Sequence, residues 1–433
     1  MRDIAVLAFL VGCMGITLWR PWLGVLCLAV FSYLNPHTYA WGFITSFPVY
    51  LVMFIAAFIA MLTSSDRQAI PRDWRIYAFY ALWFYFLLTT LNAMVPSAAW
   101  PKLIEVSKIY LPLILTLLLI NTREKLYYLI ITITVSFGLV AVKGGIWAII
   151  TGFSNRVYGP PGTQFYENNA FAIAVLMTIP LLILWRRETR SQWVNYGLMA
   201  AIPLCFAAAL SSWSRGALLA MAVLAAVLIW DSKRKYLVVP LMIIGVYLAL
   251  GQLPEEWFGR MNTIETYEED TSAMSRIETW KDGFQYALGH PLLGAGFDGW
   301  RAVTHRDWHS AYIEIMAEHG FIAFAMWLSL LYGTIISLTR LNIITRRFPE
   351  MAWVKNYTTM LRASLIAYAA GTVFLGLSYW DILYHLVFIS ILVKKFAEEE
   401  MAERGLLKKK LPARYQASAM PQARSEPWSK SHR

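Results

Sequence analysis

The chain has 433 residues, of which 58% are hydrophobic, 15% aromatic and only 15% charged, with a formal net charge of +11. Apolar runs recur from end to end, many long enough to cross about 30 Å of hydrocarbon, which excludes a soluble globular enzyme and points to an all-α polytopic membrane protein. The positive charge is spread over short segments between the runs, so it reports membrane topology and not nucleic-acid binding.

The opening "MRDIAVLAFLVGCMGITLW" carries a positive charge and an apolar stretch with no small-residue cleavage site behind it, and is expected to be retained as a span. Residues 3–34 admit two readings, because "LWRPW" at 18–22 interrupts the run. They form one broken span, the preferred reading, or a tight hairpin. Further spans are expected at 43–63, 76–94, 106–121, 127–150, 169–185, 195–209, 216–230 and 237–251, then at 311–339, 358–376 and 381–395. With 3–34 as one broken span this makes about twelve crossings with both termini inside. The basic segments "DRQAIPRDWR", "TREK", "RRETR", "DSKRK" and "RLNIITRRFPEMAWVK" then all fall on the cytoplasmic side. Cys13, Cys27 and Cys205 sit inside apolar runs, which supports neither a disulfide framework nor a metal site.

The chain divides into N-terminal spans (1–251), an external segment (252–309), C-terminal spans (310–395) and a basic tail (396–433). The tail is expected to be partly disordered and to lie near anionic lipid. The external segment is the one long loop, and connections of that length usually carry function. Within it, "SRIETWKDGFQYAL" at 275–288 places Ile277, Trp280 and Phe284 at helical spacing, with Ser275 as N-cap. That pattern predicts an amphipathic helix lying on the membrane surface or over a cavity. "GHPLLGAGFDGW" reads as a tight irregular turn, and its "GAG" at 294–296 lacks the strand–helix context of a phosphate loop. "ETYEED" at 265–270 could hold a hard cation, but such a run is more often a solvated face. No G-x-S-x-G or H-E-x-x-H motif occurs, and no D-x-D pair lies in an external segment. No metal and no cofactor are expected.

The outward-facing cations are more informative. Lys143 lies inside an apolar run near its external end, Arg156 and Tyr158 begin the next external loop, Arg215 caps a span in "SSWSRGALLA", and Arg276 opens the amphipathic segment. Ionisable groups at membrane depth are costly and mark candidate sites. The plain alternative for Lys143 and Arg215 is that they snorkel to lipid phosphates. Ser211, Ser212 and Ser214 around Arg215 favour a recess instead. Converging cations suit a diphosphate, which arginine grips in two-pronged fashion while keeping its charge. His309 opens "HSAYIEIMAEHG" just before an apolar run. A near-neutral histidine there suits proton removal from a weakly acidic hydroxyl, against the plain reading of a residue at a helix start. His305 and His319 are weaker candidates.

"SSWSRGALLA", "SRIETWKDGFQYALGHPLLGAGFDGW" and "HSAYIEIMAEHGFIAFAMWL" together resemble the signature region of the O-antigen ligase family over residues 205–330. That family also contains O-antigen polymerases and protein O-oligosaccharyltransferases. "RVYGPPGTQFYENNAFA" is similar more weakly, with Asn169 at the family's usual Asn, and "NPHTYAWG" is similar to exosortase-associated glycosylation ligases. "HSAY" stands where His-Asn-x-Tyr/Phe is commoner, so a neighbouring amide is absent here. The resemblance implies a C-type glycosyltransferase-like bundle in the bacterial inner membrane, with one large periplasmic loop and a site facing the periplasm. It implies an undecaprenyl-diphosphate-linked glycan donor and metal-independent transfer with inversion. The acceptor would be lipid A–core oligosaccharide, or else a protein hydroxyl or a growing glycan. In those terms His309 is the general base. Arg215 and Arg276 hold the donor diphosphate with Arg156, Lys143, Tyr158 and Asn169, and Tyr312 and Trp280 lie on the acceptor side. A lipid-linked glycan transporter is the competing class. It should show paired repeats with matching broken helices, and the sequence has no such symmetry.

Overall fold

A computed structural model of the chain describes residues 1–262 and 271–406. The acidic run "ETYEED" and the tail beyond residue 406 lie outside the described residues. Among the described residues the regular structure is helical throughout.

The first part of the chain forms α1 (Arg2–Trp19), α2 (Pro21–Tyr33), α3 (Val49–Thr63), α4 (Trp74–Leu91) and α5 (Pro96–Leu119). It continues as α6 (Arg123–Ile150), α7 (Asn168–Glu188), α8 (Gln192–Leu210), α9 (Arg215–Asp231) and α10 (Lys235–Leu250). Three helices follow in the segment 252–309: α11 (Glu255–Asn262), α12 (Thr271–Gly289) and α13 (Gly299–Thr304). The chain then returns through α14 (Ala311–Thr345), α15 (Ala352–Gly371) and α16 (Asp381–Glu403). Among the described residues α1, α6, α7, α8 and α14 are long and apolar enough to cross a membrane, and α10 with α11, bent by 113°, adds a sixth if taken as one span. The protein is a polytopic helical membrane protein. Its core forms around α7, where every residue from Ala170 to Leu182 is buried, as expected for a helix apolar on all sides. α15 packs on it and α16 packs on α15 and α14, both buried along most of their length, whereas α10 has no buried residue and lies at the edge against α9.

Residues 3–34 form the hairpin and not the broken span. The Phe9 and Phe31 rings meet at 5.5 Å, and a Cβ on Gly24 would lie 2.6 Å from the Thr17 methyl. At the open end Arg2 donates to the Tyr39 carbonyl at 3.3 Å and lies 4.0 Å over the Trp41 ring. Pro21 causes the reversal. It has no N–H to continue α1, but its fixed φ suits the first position of a new helix. The count of twelve with both termini inside rested on the other alternative, and it loses that basis.

α14 is broken at Gly320, whose φ of 76° and ψ of −178° are not helical. The freed backbone groups are taken up by the segment at 291–296. Ala295 N–H donates to Ala317 O at 2.9 Å, Gly296 N–H to Glu318 O at 2.8 Å, and Phe321 N–H to Pro291 O at 2.8 Å. A Cβ on Gly320 would stand 2.4 Å from Leu292 O, so only glycine allows this approach. The Gly-x-Gly turn is therefore a splint for a broken helix. It aims residues 311–319 independently of the long helix that follows.

α12 departs from expectation in two ways. It already runs at Thr271, so Ser275 is interior and not an N-cap; its carbonyl accepts from Thr279 Oγ1 at 2.7 Å. The inward stripe is Thr279, Gly283 and Ala287, while Phe284 is exposed. Close approach explains this: a Cβ on Gly283 would lie 2.6 Å from both Ile313 Cγ2 and Trp308 Cζ3. Small residues let α12 lie flat on the start of α14, and Phe284 and Leu288 are left facing outward.

Candidate active site

The junction "SSWS" between α8 and α9 organises the site. Ser214 caps α9, accepting from Ala217 N–H at 3.2 Å, and Ser212 Oγ accepts from Ser214 N–H at 3.3 Å. Trp213 sits in the left-handed region at φ 58°, held by its indole N–H donating to Phe153 O at 3.0 Å. Asn168 at the start of α7 donates to Ser212 O at 2.6 Å. The starts of α7 and α9 are thereby tied together, and their first-turn N–H groups and dipoles favour an anion between them.

A narrow recess opens at this point. Asn169, Ser214 and Arg215 line it from the two helix starts, Arg260 from α11 and Arg276 from α12, and Phe374 closes it. Arg260 Nε also donates to Trp213 O at 2.9 Å. Arginines from separate helices thus surround one half-buried space.

His309 lies beside this space. Its φ is 48°, and it is held between Trp308 (4% exposed) and Ser310 (3% exposed). Partial burial lowers its pKa below the ordinary histidine value, and the Arg276 charge lowers it further against opposition from Asp307 and Glu167. The imidazole is therefore neutral at neutral pH and able to accept a proton. Trp280, one turn after Arg276 on α12, donates from its indole N–H to Trp308 O at 2.9 Å.

A wide apolar groove of about 630 Å³ runs along the other side, lined among others by Trp280, Ser310, Tyr312, Ile335, Ile366 and Ala370. Trp280 also meets Phe374 at 5.8 Å, so these rings form the wall between groove and cavity. The Tyr312 hydroxyl is 2.9 Å from that of Tyr332 and donates to Ala369 O at 3.0 Å, which makes Tyr312 part of the groove wall.

The structure gathers Arg215, Arg276 and Asn169 at the cavity, with His309 and Trp280 beside it. Lys143 is elsewhere: it is exposed on α6 in the company of exposed Leu139, Ile146 and Trp147. Arg156 does not line the cavity but lies over the Trp213 ring at 5.5 Å, and exposed Tyr158 stacks on Tyr166 at 5.9 Å. His305 is exposed, and His319 is fully buried with Nδ1 2.7 Å from Thr89 Oγ1. Arg260 was not foreseen. In "EEWFGRMN" the signal was available, since buried Trp257 and Met261 four positions apart mark a face and Arg260 adjoins it.

Residues 1–192 match a family of unknown function (DUF5935), and residues 200–328 match the family described as O-Antigen ligase. No curated protein matches the chain. The second match contains Arg215, Arg260 and Arg276, which line the cavity, and Trp280 and His309 beside it, so over residues 200–328 the chain is similar to the O-antigen ligase family.

Proposed function

We propose that the protein transfers a glycan from an undecaprenyl-diphosphate carrier to a sugar hydroxyl of lipid A–core oligosaccharide at the periplasmic face of the inner membrane. The observation that carries this reading is the convergence of Arg215, Arg260 and Arg276 on one cavity beside a neutral His309. The diphosphate sits among the arginines, with Asn169 and the start of α9 adding N–H donors. In this reading its apolar tail follows the apolar groove along Trp280 and Tyr312, which would then face the donor lipid as well as the acceptor side first expected for them.

In the reaction His309 takes the acceptor hydroxyl proton as the oxygen bonds to the anomeric carbon from the face opposite the diphosphate. The carbon–oxygen bond to the diphosphate breaks, and its electron pair leaves with that group. Negative charge grows on the diphosphate in the transition state, where prepositioned guanidinium groups are most effective. No proton donor to the leaving group is needed, and the arginines supply the charge a metal would otherwise bring. A protein hydroxyl or a growing glycan as acceptor would use the same chemistry.

The test is transfer by purified protein from an undecaprenyl-diphosphate-linked glycan, with lipid A–core, an acceptor protein or free glycan offered separately. A product on lipid A–core is expected. Product on the protein or glycan alone would move the acceptor assignment, and export of an unaltered carrier without transfer would overturn the enzyme reading.

A further inference from the structure

Glu318 is a carboxylate only 3% exposed, in a short helix that carries no other explanation for it. A buried carboxylate persists only where its oxygens are well supplied with donors. Here Oε1 accepts from Trp308 Nε1 at 3.3 Å and from Asp298 N–H at 3.2 Å, and Oε2 accepts from the Tyr379 hydroxyl at 2.6 Å. Two of the donors come from the segment just before the helix, and the third, Tyr379, lies 61 residues further along the chain. One of them, Trp308, immediately precedes His309.

Trp308 is held on every side. Its ring stacks on Trp300 at 5.1 Å and meets the bare Gly283 face of α12. Its indole N–H ends on Glu318, and its carbonyl accepts from Trp280. His309 follows in a left-handed conformation, uncommon for a non-glycine residue. Trp280 belongs to the same helix as Arg276, so Trp308 joins the donor-binding helix to the histidine.

We infer that Glu318 is a positioning residue: through Trp308 it sets the place of His309 against the arginine cavity, and it touches neither substrate. This rests on the role proposed above for His309. The carboxylate does its work as a fixed acceptor. Glu318→Gln, which can keep an oxygen towards Trp308 and Asp298 while Tyr379 turns to accept, should therefore restore most of what Glu318→Ala loses.

The experiment compares Trp308→Phe, Glu318→Ala, Glu318→Gln and His309→Ala in the full chain, with the undecaprenyl-diphosphate-linked glycan as donor and lipid A–core as acceptor. Misplacing a reacting group by about 1 Å costs on the order of a hundredfold, so kcat should fall roughly ten- to a hundredfold in Trp308→Phe and Glu318→Ala, with donor KM within about twofold. In those two variants a loosened His309 moves away from Arg276, Asp307 and Glu167 towards water. The acid limb of the pH–rate profile should then shift to higher pH. Wild-type kcat and an unshifted acid limb in both variants would overturn the inference. So would a loss that merely follows the yield of folded protein and that Glu318→Gln does not restore. If instead His309→Ala itself transfers at the parental rate, the base assignment fails, and the two failures are distinguished.

Discussion

Arg260 Nε donates to the Trp213 carbonyl at 2.9 Å, so the helix that opens the external segment is bonded to the turn that starts α9. The same turn presents Arg215, and α12 of the external segment presents Arg276. The cavity is thus shared between the helical bundle and the segment 252–309. Loss of guanidinium geometry on either side should disable it.

Arg215→Lys and Arg260→Lys keep the charge and lose the planar fork. Each should lower transfer by roughly 10²-fold, the usual worth of one oriented donor to a developing anion. A residue that only snorkels to lipid phosphate would tolerate the change. Lys143→Ala, on the outer face of α6, should transfer within about twofold of the parent, as surface substitutions usually do. Initial rates on equal amounts of folded protein decide both points.

His309→Ala should leave donor binding nearly intact and reduce kcat by roughly 10²–10⁴. Protonated His309 cannot act as base, and burial and Arg276 both disfavour that form. The rate should therefore hold on acidification until the pH falls below the ordinary histidine range. Arg276→Gln removes a positive neighbour, raises the histidine pKa and moves the acid limb to higher pH. A limb that stays in place would show that Arg276 does not act on His309.

In the proposed mechanism guanidinium groups supply the positive charge, so transfer should run at full rate in excess chelator. Activity that disappears on chelation and returns with Mg²⁺ or Mn²⁺ would show that a cation shares the diphosphate.

Gly320→Ala places a Cβ 2.4 Å from Leu292 O at a φ of 76°. Strain of this kind costs about 1–3 kcal/mol, and the clash adds to it. The variant should unfold at lower temperature, and its transfer rate should fall as well, because the break aims the segment that begins beside His309. A parental melting temperature would remove the splint from the account.

On a background without Cys13, Cys27 and Cys205, single cysteines at Arg2 and Trp41 should react with an impermeant thiol reagent from the same side of the membrane, as the hairpin requires. A cysteine at Thr304 should react from the periplasm, and cysteines at Ser191 and Ser232 should not. The reverse pattern would overturn the sidedness on which the proposed function depends.

Much of this was legible in the residues. The length of the apolar runs set the membrane class, because hydrocarbon thickness dictates it. Arg215, Arg276 and His309 stood out because each breaks an apolar or amphipathic pattern near the end of a run. A local pattern exposes such a break directly. The turn "PLLGAG" was legible as a turn, although its task as a splint was not.

Tertiary structure alone decided which of these residues meet. Lipid and protein core are both apolar, so periodicity does not reveal whether a face meets another helix or the bilayer. For that reason Lys143 read as a site residue and lies on an exposed face, and Phe284 read as inward while Gly283 takes that place. Arg260 and Glu318 acquire their roles from partners remote in sequence, Trp213 for one, Asp298 and Tyr379 for the other. Such pairings come from long-range packing, which short-range spacing does not encode. Composition determined that this is a helical membrane protein, and motif order singled out His309 and the arginines. The packing of α11, α12 and the broken α14 determined which arginines lie beside His309, because helix contacts bring those groups together.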